Sequence, residues 1–248
     1  MTQRTSSGLC FDRLDGDDVC LIFCGGFNSN RQGNKALAFE ELANHLGIEY
    51  VRFDYRAHGQ TSGDFADCTI TEWADNVIEV IDEVAQNQIV VLVGSSMGGW
   101  LSLIAAQRRP NRVNALLLIA CAADMTKFYP DRVGGLPLLR DHKGRAYYEV
   151  PNAYDDQQPY RIYQAMIDSG QPYNLLDSAI DFAGPVRLIH GTDDEVIPWQ
   201  RSEKVLSLIT SKQASLTLIK DGDHRLSDVG DIAIMNSLAS ELITLVRI

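Results

Sequence analysis

The residues with the clearest chemical potential are a serine, an acid and a histidine that follow one another along the chain. Ser96 lies in Gly94-Ser95-Ser96-Met97-Gly98, which has the Gly-x-Ser-x-Gly spacing, an acidic triplet lies at 193–195, and His224 comes last. This chain order is typical of enzymes in which a histidine deprotonates a serine nucleophile. The spacing therefore predicts nucleophilic catalysis by Ser96, although a serine at this position could also be a helix N-cap.

The acid and the base can be selected within their loops. Asp194 is expected to accept the Nδ1 proton of His224, whose Nε2 takes the Ser96 proton, while Asp193 and Glu195 are expected to be charges in solvent. His224 is selected because, of five histidines, it alone follows both the serine and the acidic loop. The other histidines are expected to be structural: His45 at a helix end, His58 as a packing or turn residue, His142 in a later insertion and His190 closing a strand through a backbone hydrogen bond. His58 follows a predicted strand and could instead approach the site.

Backbone amides are needed to stabilise an oxyanion. The N–H groups of Phe27 and Met97 are predicted donors, because Gly25-Gly26-Phe27 directly follows an apolar strand and Met97 follows the serine. A substrate pocket is expected to include Gly26, Asn28, Met125 and Trp199, although Trp199 could instead only cover the start of its helix. No metal or cofactor is expected. Four apolar or aromatic side chains between about residues 121 and 184 favour an acyl chain or aromatic acid as ligand, although each could equally belong to a small core of that segment: Met125, Phe128, Tyr129 and Met166.

Strands and helices must position these residues, and the hydrophobic pattern of the sequence predicts where those strands and helices lie. Apolar runs predict strands at 9–13, 19–24, 50–53, 89–93, 113–119, 186–190 and 216–219. Helical spacing predicts helices at 35–46, 70–86, 97–109, 199–209 and 228–246. Strands without polar interruptions that alternate with helices indicate an α/β fold with a mostly parallel sheet covered on both faces. The carboxyl ends of such strands meet at one edge, which brings the three loops together.

The alternation stops between about residues 121 and 184, a segment that holds seven of the nine tyrosines. A stretch of this length is too long to be structureless in a compact domain. We expect one domain over residues 1–248, with a helical cap inserted at about 121–184.

Composition narrows the class of partner. The chain has 248 residues, with 22 Lys plus Arg against 33 Asp plus Glu, and a formal charge of −11. This charge disfavours nucleic acid and anionic membranes as partners. The polar N-terminus has no signal-peptide pattern and no apolar segment is expected to reach the length of a membrane span, so the prediction is a soluble, cytoplasmic protein. The five cysteines are expected to be reduced and buried, and the oligomeric state cannot be read from the sequence.

Several segments that the three functional residues do not require carry a likeness to known proteins: Lys35-Ala36-Leu37-Ala38, Arg52-Phe53-Asp54-Tyr55, Gly94–Trp100, Ala122-Ala123-Asp124, Val196-Ile197-Pro198-Trp199 and Asp223-His224-Arg225. Over nearly its whole length the chain resembles the α/β-hydrolase superfamily. Within it, the chain is most similar to the abhydrolase branch of mitochondrial acyl-protein thioesterases and mycophenolic acid acyl-glucuronide esterases. The resemblance implies Ser96 as nucleophile, Asp194 as acid and His224 as base. The chain differs from that branch in two ways. It has no presequence before the first strand, so a bacterial cytoplasmic relative is expected, and it has Arg56-Ala57-His58-Gly59 in a loop whose composition varies among abhydrolases.

The resulting hypothesis is a serine hydrolase that cleaves acyl esters or thioesters of small molecules or acyl proteins through an acyl-enzyme. Two alternatives stay open. One is a lactonase or C–C bond hydrolase on the same fold, and the other is a non-catalytic binding protein.

Overall fold

Two β-sheets and the helices around them form the molecule in a computed structural model that describes residues 3–87, 89–151 and 159–247. The strands are β1 (Gln3–Arg4), β2 (Cys10–Leu14), β3 (Asp17–Cys24), β4 (Ile48–Phe53), β5 (Ile89–Ser95), β6 (Val113–Ile119), β7 (Leu139–Arg140), β8 (Ala146–Val150), β9 (Tyr160–Tyr163), β10 (Val186–Gly191) and β11 (Ala214–Ile219). The helices are α1 (Asn34–Leu46), α2 (Ile70–Glu79), α3 (Met97–Arg108), α4 (Tyr129–Val133), α5 (Gln164–Ser169), α6 (Gln200–Leu208) and α7 (Val229–Val246). A π-helical turn, Val80–Val84, continues α2.

The large sheet has the strand order β1-β2-β4-β3-β5-β6-β10-β11. The β1–β2 and β2–β4 pairs are antiparallel, and the remaining pairs are parallel. Strand β5 lies near the middle, where Gly94 pairs with Cys24 of β3 and Ser95 pairs with Ile119 of β6. The carboxyl ends of β3, β5 and β6 therefore meet around the start of α3.

Helices cover both faces of this sheet, and alternate residues of β5 separate the two layers. Val90 and Leu92 belong to the apolar cluster that includes α2 and α3, whereas Val91 and Val93 belong to the cluster that includes α1 and α7. Each strand residue is thus buried against one helical layer, which explains why these strands are continuous apolar runs. All five cysteines are buried, as expected, and none is paired with another.

Helix α7 differs from the expectation that no apolar segment is long enough for a membrane span. It is 18 residues long with a mean hydropathy of 1.4, so length and composition alone would allow it to cross a membrane. In the structure it packs on the sheet through Met235, Ala239, Leu242 and Ile243. A helix with one face buried in this way is typical of the core of a globular protein.

The segment predicted as a helical cap contains the expected short helices, α4 and α5, but also a sheet. Strands β7, β8 and β9 pair in antiparallel order, with Tyr147 opposite Tyr163 and their ring centroids 5.4 Å apart. Cross-strand aromatic pairs of this kind stabilise such a sheet. Tyr154, one of the seven tyrosines, lies outside the described residues. The single domain and the bounds of the insertion stay predictions.

Candidate active site

Ser96 lies in a sharp turn between β5 and α3. Its backbone has φ 54° and ψ −117°, a region that residues other than glycine rarely adopt. The turn is fixed by its neighbours, because the Ser96 amide donates to Ile119 O at 2.8 Å and its carbonyl accepts from the amides of Gly99 and Ala122, both at 3.0 Å. A strained residue held by surrounding hydrogen bonds is typical of a functional site.

Two glycines allow this turn to pack closely. A Cβ atom on Gly98 would lie 2.1 Å from Cys24 O, and one on Gly94 would lie 2.5 Å from Gly98 O. Neither space can hold a side chain, since the atoms in contact are backbone. The glycines of the sequence motif are therefore required for α3 to start directly against the end of β3.

His224 connects Ser96 to Asp194. Its Nε2 lies 3.1 Å from Ser96 Oγ, and its Nδ1 lies 2.7 Å from Asp194 Oδ2. Because a carboxylate only accepts hydrogen bonds, Nδ1 donates to Asp194 and Nε2 is left to accept from the serine hydroxyl. The other oxygen of Asp194, Oδ1, accepts the amides of Val196 at 2.9 Å and Ile197 at 2.8 Å.

A second histidine also contacts Asp194. His190, at the end of β10, is completely buried, and its Nε2 lies 2.9 Å from Asp194 Oδ2 and 3.0 Å from Ile197 O. Both partners are acceptors, so Nε2 carries the proton and Nδ1 accepts from Ser202 Oγ at 2.7 Å. The backbone contact expected for His190 is present, but the contact with Asp194 was not predicted. A histidine four residues before the predicted acid was the available signal, whereas Ser202 gave none.

These contacts control the charge of Asp194. Burial raises its pKa, but the hydrogen bonds from His190 and His224, the charge of His224 and the Ile197 amide outweigh burial and hold the pKa below its usual range. Asp194 is therefore ionised at neutral pH. An ionised carboxylate is what a histidine needs in order to be oriented through Nδ1.

The amides of Phe27 and Met97 are the predicted oxyanion donors. Within the described part of the chain neither donates a hydrogen bond to another residue. The loop of Phe27 passes beside Ser96, since a Cβ on Gly26 would lie 3.4 Å from Ser96 Cβ. His58 holds this loop, because its Nε2 accepts the Asn28 amide at 3.1 Å.

His58 itself is buried and does not line the cavity described next. Burial lowers its pKa, which keeps the ring neutral and its Nε2 able to accept. Its ring packs against Trp73, with the centroids 5.2 Å apart, and against Phe27 at 6.5 Å. His58 thus has the packing role expected, and it also holds the loop that carries Phe27.

A cavity of about 810 Å³ opens beside Ser96 and His224. Gly26, Asn28 and Met125 line it as expected, and so do Phe128 and Tyr129 of the insertion. Two expected residues, Trp199 and Met166, do not line it. Trp199 instead lies directly before α6, where its carbonyl accepts the Ser202 amide at 2.9 Å, and Arg201 of α6 lines the cavity.

Comparison with known proteins identifies the family of the chain. The Hydrolase_4 family, described as serine aminopeptidase S33, matches residues 17–228. The chain belongs to this family. The hydrolase is 38% identical to the mouse palmitoyl-protein thioesterase ABHD10, mitochondrial, over 95% of its own chain and 78% of that protein.

Two solved structures are similar to this hydrolase along nearly their whole length. Mouse α/β hydrolase domain-containing protein 10 has a TM-score of 0.85 at 38% identity, covering 95% of this chain and 94% of that one. A putative hydrolase from Agrobacterium vitis S4 has a TM-score of 0.85 at 31% identity, covering 98% and 96%. The predictions of an α/β-hydrolase fold, of the abhydrolase branch and of an enzyme acting on ester bonds are confirmed.

The predicted cytoplasmic location is wrong. Relatives from mouse, cattle and human at 35–38% identity are all named as mitochondrial proteins. The prediction depended on a polar N-terminus without a signal-peptide pattern and on apolar segments judged too short for a membrane span, and these features do not distinguish one aqueous compartment from another.

Proposed function

We propose that Ser96 is the nucleophile of an acyl-transfer reaction, with His224 as general base and Asp194 as the residue that orients it. The observation that carries this proposal is the continuous chain of contacts from Ser96 Oγ to His224 and Asp194, at 3.1 and 2.7 Å, at the wall of a cavity. A serine hydroxyl is weakly nucleophilic until a base accepts its proton, and Nε2 of His224 is within reach of that proton.

The reaction proceeds in two halves. In the first, Ser96 Oγ bonds to the acyl carbonyl carbon while its proton passes to His224 Nε2, and the protonated ring then gives that proton to the departing oxygen or sulfur. In the second, His224 deprotonates a water that attacks the acyl-enzyme, and the acid product leaves as Ser96 regains its proton. The negative oxygen formed in each half is stabilised by the amides of Phe27 and Met97, and such a donor is typically worth about 3–4 kcal/mol.

The substrates we propose are acyl esters and acyl thioesters, in small molecules or attached to proteins. The name of the mouse relative, a palmitoyl-protein thioesterase, supports the thioester class. Apolar side chains of Met125, Phe128 and Tyr129 along the cavity support an acyl group as the bound part. The formal charge of −11 argues against nucleic acid as a partner.

A substrate panel tests this function. We expect turnover of 4-nitrophenyl hexanoate and of S-hexanoyl-N-acetylcysteamine, and loss of both activities in Ser96→Ala. Inactivity toward both, together with turnover of a lactone or of a ring-opened dienone, would overturn the proposal in favour of a lactonase or C–C bond hydrolase. Inactivity toward every member of the panel, with binding of an acyl ligand retained, would indicate a binding protein.

A further inference from the structure

Beside Phe128, the wall of the cavity contains a buried cation, Arg201. Arg201, in the first turn of α6, is 9% exposed, and its guanidinium carbon lies 3.6 Å from the centroid of the Phe128 ring. One of its nitrogens donates to Ala123 O at 3.0 Å. A guanidinium has five N–H donors, so most of its donors are not used by that bond. Both Arg201 and Phe128 line the cavity.

No carboxylate neutralises this guanidinium within the chain as described. No Asp or Glu oxygen of residues 3–87, 89–151 or 159–247 lies within 4.0 Å of it. The nearby carboxylate of Asp124 is occupied by the amides of Leu175 at 2.7 Å and Leu176 at 3.0 Å. A buried charge without a counter-ion is unfavourable, and a bound anion would remove that penalty.

Burial changes the ionisation of Arg201. Burial, together with the charge of Arg132, lowers the pKa of the guanidinium to about 10, partly opposed by the neighbouring Cys121 and Asp124. Arg201 is still protonated at neutral pH. The cavity therefore holds a permanent positive charge on its apolar side.

Other cations line the same cavity. Arg132 of α4 is exposed and donates to Val196 O. On the His224 side of the cavity, Lys35 and Arg225 lie together, and Lys35 Nζ donates to Arg225 O. Glu195 is the acidic residue among the described residues of the wall. A basic cavity in a chain of net charge −11 is a local feature, and such a cavity concentrates anions.

We propose that Arg201, assisted by Arg132, binds a carboxylate at the far end of the acyl group, so that the preferred substrates are monoesters or monothioesters of dicarboxylic acids. The inference rests on the proposed function. The departing group must lie beside His224 Nε2 to receive its proton, so the acyl group contacts other walls of the cavity, among them the one formed by Met125, Phe128 and Arg201. That wall is apolar along Met125 and Phe128 and cationic at Arg201, which fits an alkyl chain that ends in a carboxylate. Guanidinium and carboxylate form planar, two-pronged pairs, so a terminal carboxylate can pair with Arg201 through two hydrogen bonds.

The test compares substrates that differ only in the terminal group. For the wild type we expect kcat/KM for 4-nitrophenyl hydrogen adipate to exceed that for 4-nitrophenyl hexanoate by about 10-fold or more. Arg201→Met keeps much of the apolar stem and removes the charge, and it should lower this ratio about 10-fold. Arg132→Met should lower this adipate-to-hexanoate ratio less. The control is Arg108→Met, which changes a surface arginine of α3 outside the cavity and should leave the ratio unchanged. Raising NaCl from about 0.05 to about 0.5 M should lower the wild-type ratio.

Each contrary result has a separate meaning. Equal kcat/KM values for adipate and hexanoate in the wild type, or an unchanged ratio in Arg201→Met, would overturn the carboxylate site while Ser96-dependent hexanoate turnover upholds the proposed function. A preference only for 3-carboxy-4-nitrophenyl hexanoate, whose carboxylate is on the departing group, would also overturn it. Loss of Ser96-dependent turnover of hexanoate would instead be a failure of the proposed function. Because Arg132 is exposed, Arg132→Met is expected to fold, and it tests the carboxylate site even if Arg201→Met does not fold.

Discussion

Asp194 is the residue at which the hydrogen bonds of the site converge. Its two oxygens accept from Nδ1 of His224, from Nε2 of His190 and from the amides of Val196 and Ile197. Hydrogen bonds to a charged acceptor are stronger than those between neutral groups. The position of His224 is therefore fixed through Asp194, and that of Asp194 partly through His190.

Removal of the His190 ring tests this positioning role. We expect His190→Ala to lower kcat roughly 10- to 100-fold, because a hydrogen bond to a charged group contributes about 1.5–3 kcal/mol, and to change KM little. His190→Gln, which keeps an N–H donor, should retain more of kcat than the alanine variant. Steady-state kinetics on 4-nitrophenyl hexanoate measure both effects, with the exposed His142→Ala as a control. A wild-type kcat in His190→Ala would contradict the role.

The same variant should change how stability depends on pH. The pKa of Asp194 in the folded state lies below its ordinary value, so its contribution to stability is complete above about pH 4 and is lost as the pH falls. Without the His190 donor this contribution shrinks. Urea midpoints should therefore fall less steeply between about pH 6 and about pH 3 in His190→Ala than in the wild type. Parallel curves would mean that His190 only fills space.

At the scale of elements, the turn between β5 and α3 depends on the absence of a side chain at Gly98. A Cβ there would lie 2.1 Å from Cys24 O and 2.5 Å from Gly25 O, both in the segment that leads to Phe27. A side chain would force α3 away from the end of β3. The nucleophile and one oxyanion donor would then move relative to each other.

We expect Gly98→Ala to lower kcat/KM about 100-fold, since a displacement near 1 Å can have an effect of that size. Overpacking should also lower the free energy of unfolding by about 1–3 kcal/mol. Gly230→Ala is the matched control, because a Cβ at Gly230 in α7 meets no atom within 4 Å. Ester kinetics and urea unfolding of both variants provide the comparison. Activity of Gly98→Ala within twofold of wild type would show that the close contact is not needed.

The elements that the sequence predicted well are those that a local pattern determines. Strand β6 was predicted over the same residues, and helix α1 ends before Gly47, which adopts the left-handed conformation of a helix stop. The strands β8 and β9 were missed because their pairing depends on residues distant in sequence and on aromatic contacts across strands. The ring contacts of His190 were missed for a related reason, since the direction of a side chain cannot be read from a strand's apolar pattern.

At the scale of the whole molecule, a group of charges ties the small sheet to the body. Arg145, just before β8, contacts Asp64 at 2.8 Å, Asp67 at 2.5 Å and Asp141 at 2.7 Å, and Lys143 also contacts Asp64 at 2.9 Å. These aspartates belong to two separate parts of the chain, the loop after β4 and the turn between β7 and β8. Networks of several charges contribute more than isolated surface pairs.

We expect Arg145→Met to loosen the small sheet over the cavity, which is lined by Val150, Tyr160 and Ile162 of that sheet. Amide hydrogen exchange in 139–150 and 160–163 should become several-fold faster, and Tm should fall by a few degrees. High salt should reduce the difference between variant and wild type, because these contacts are only partly buried and dissolved ions screen them. Arg187→Met, which removes a pair with Glu241 on α7, is the control. Unchanged exchange in the small sheet would show that these charges do not hold it.

The measurement that tests the proposed chemistry most directly is the detection of the acyl-enzyme. Wild-type protein mixed with 4-nitrophenyl hexanoate and quenched in acid should gain the mass of one hexanoyl group, and peptide mapping should locate it on Ser96. Ser96→Ala should gain no mass and release no 4-nitrophenol above the uncatalysed rate. An adduct that persists in Ser96→Ala, or one located on another residue, would contradict Ser96 as the nucleophile.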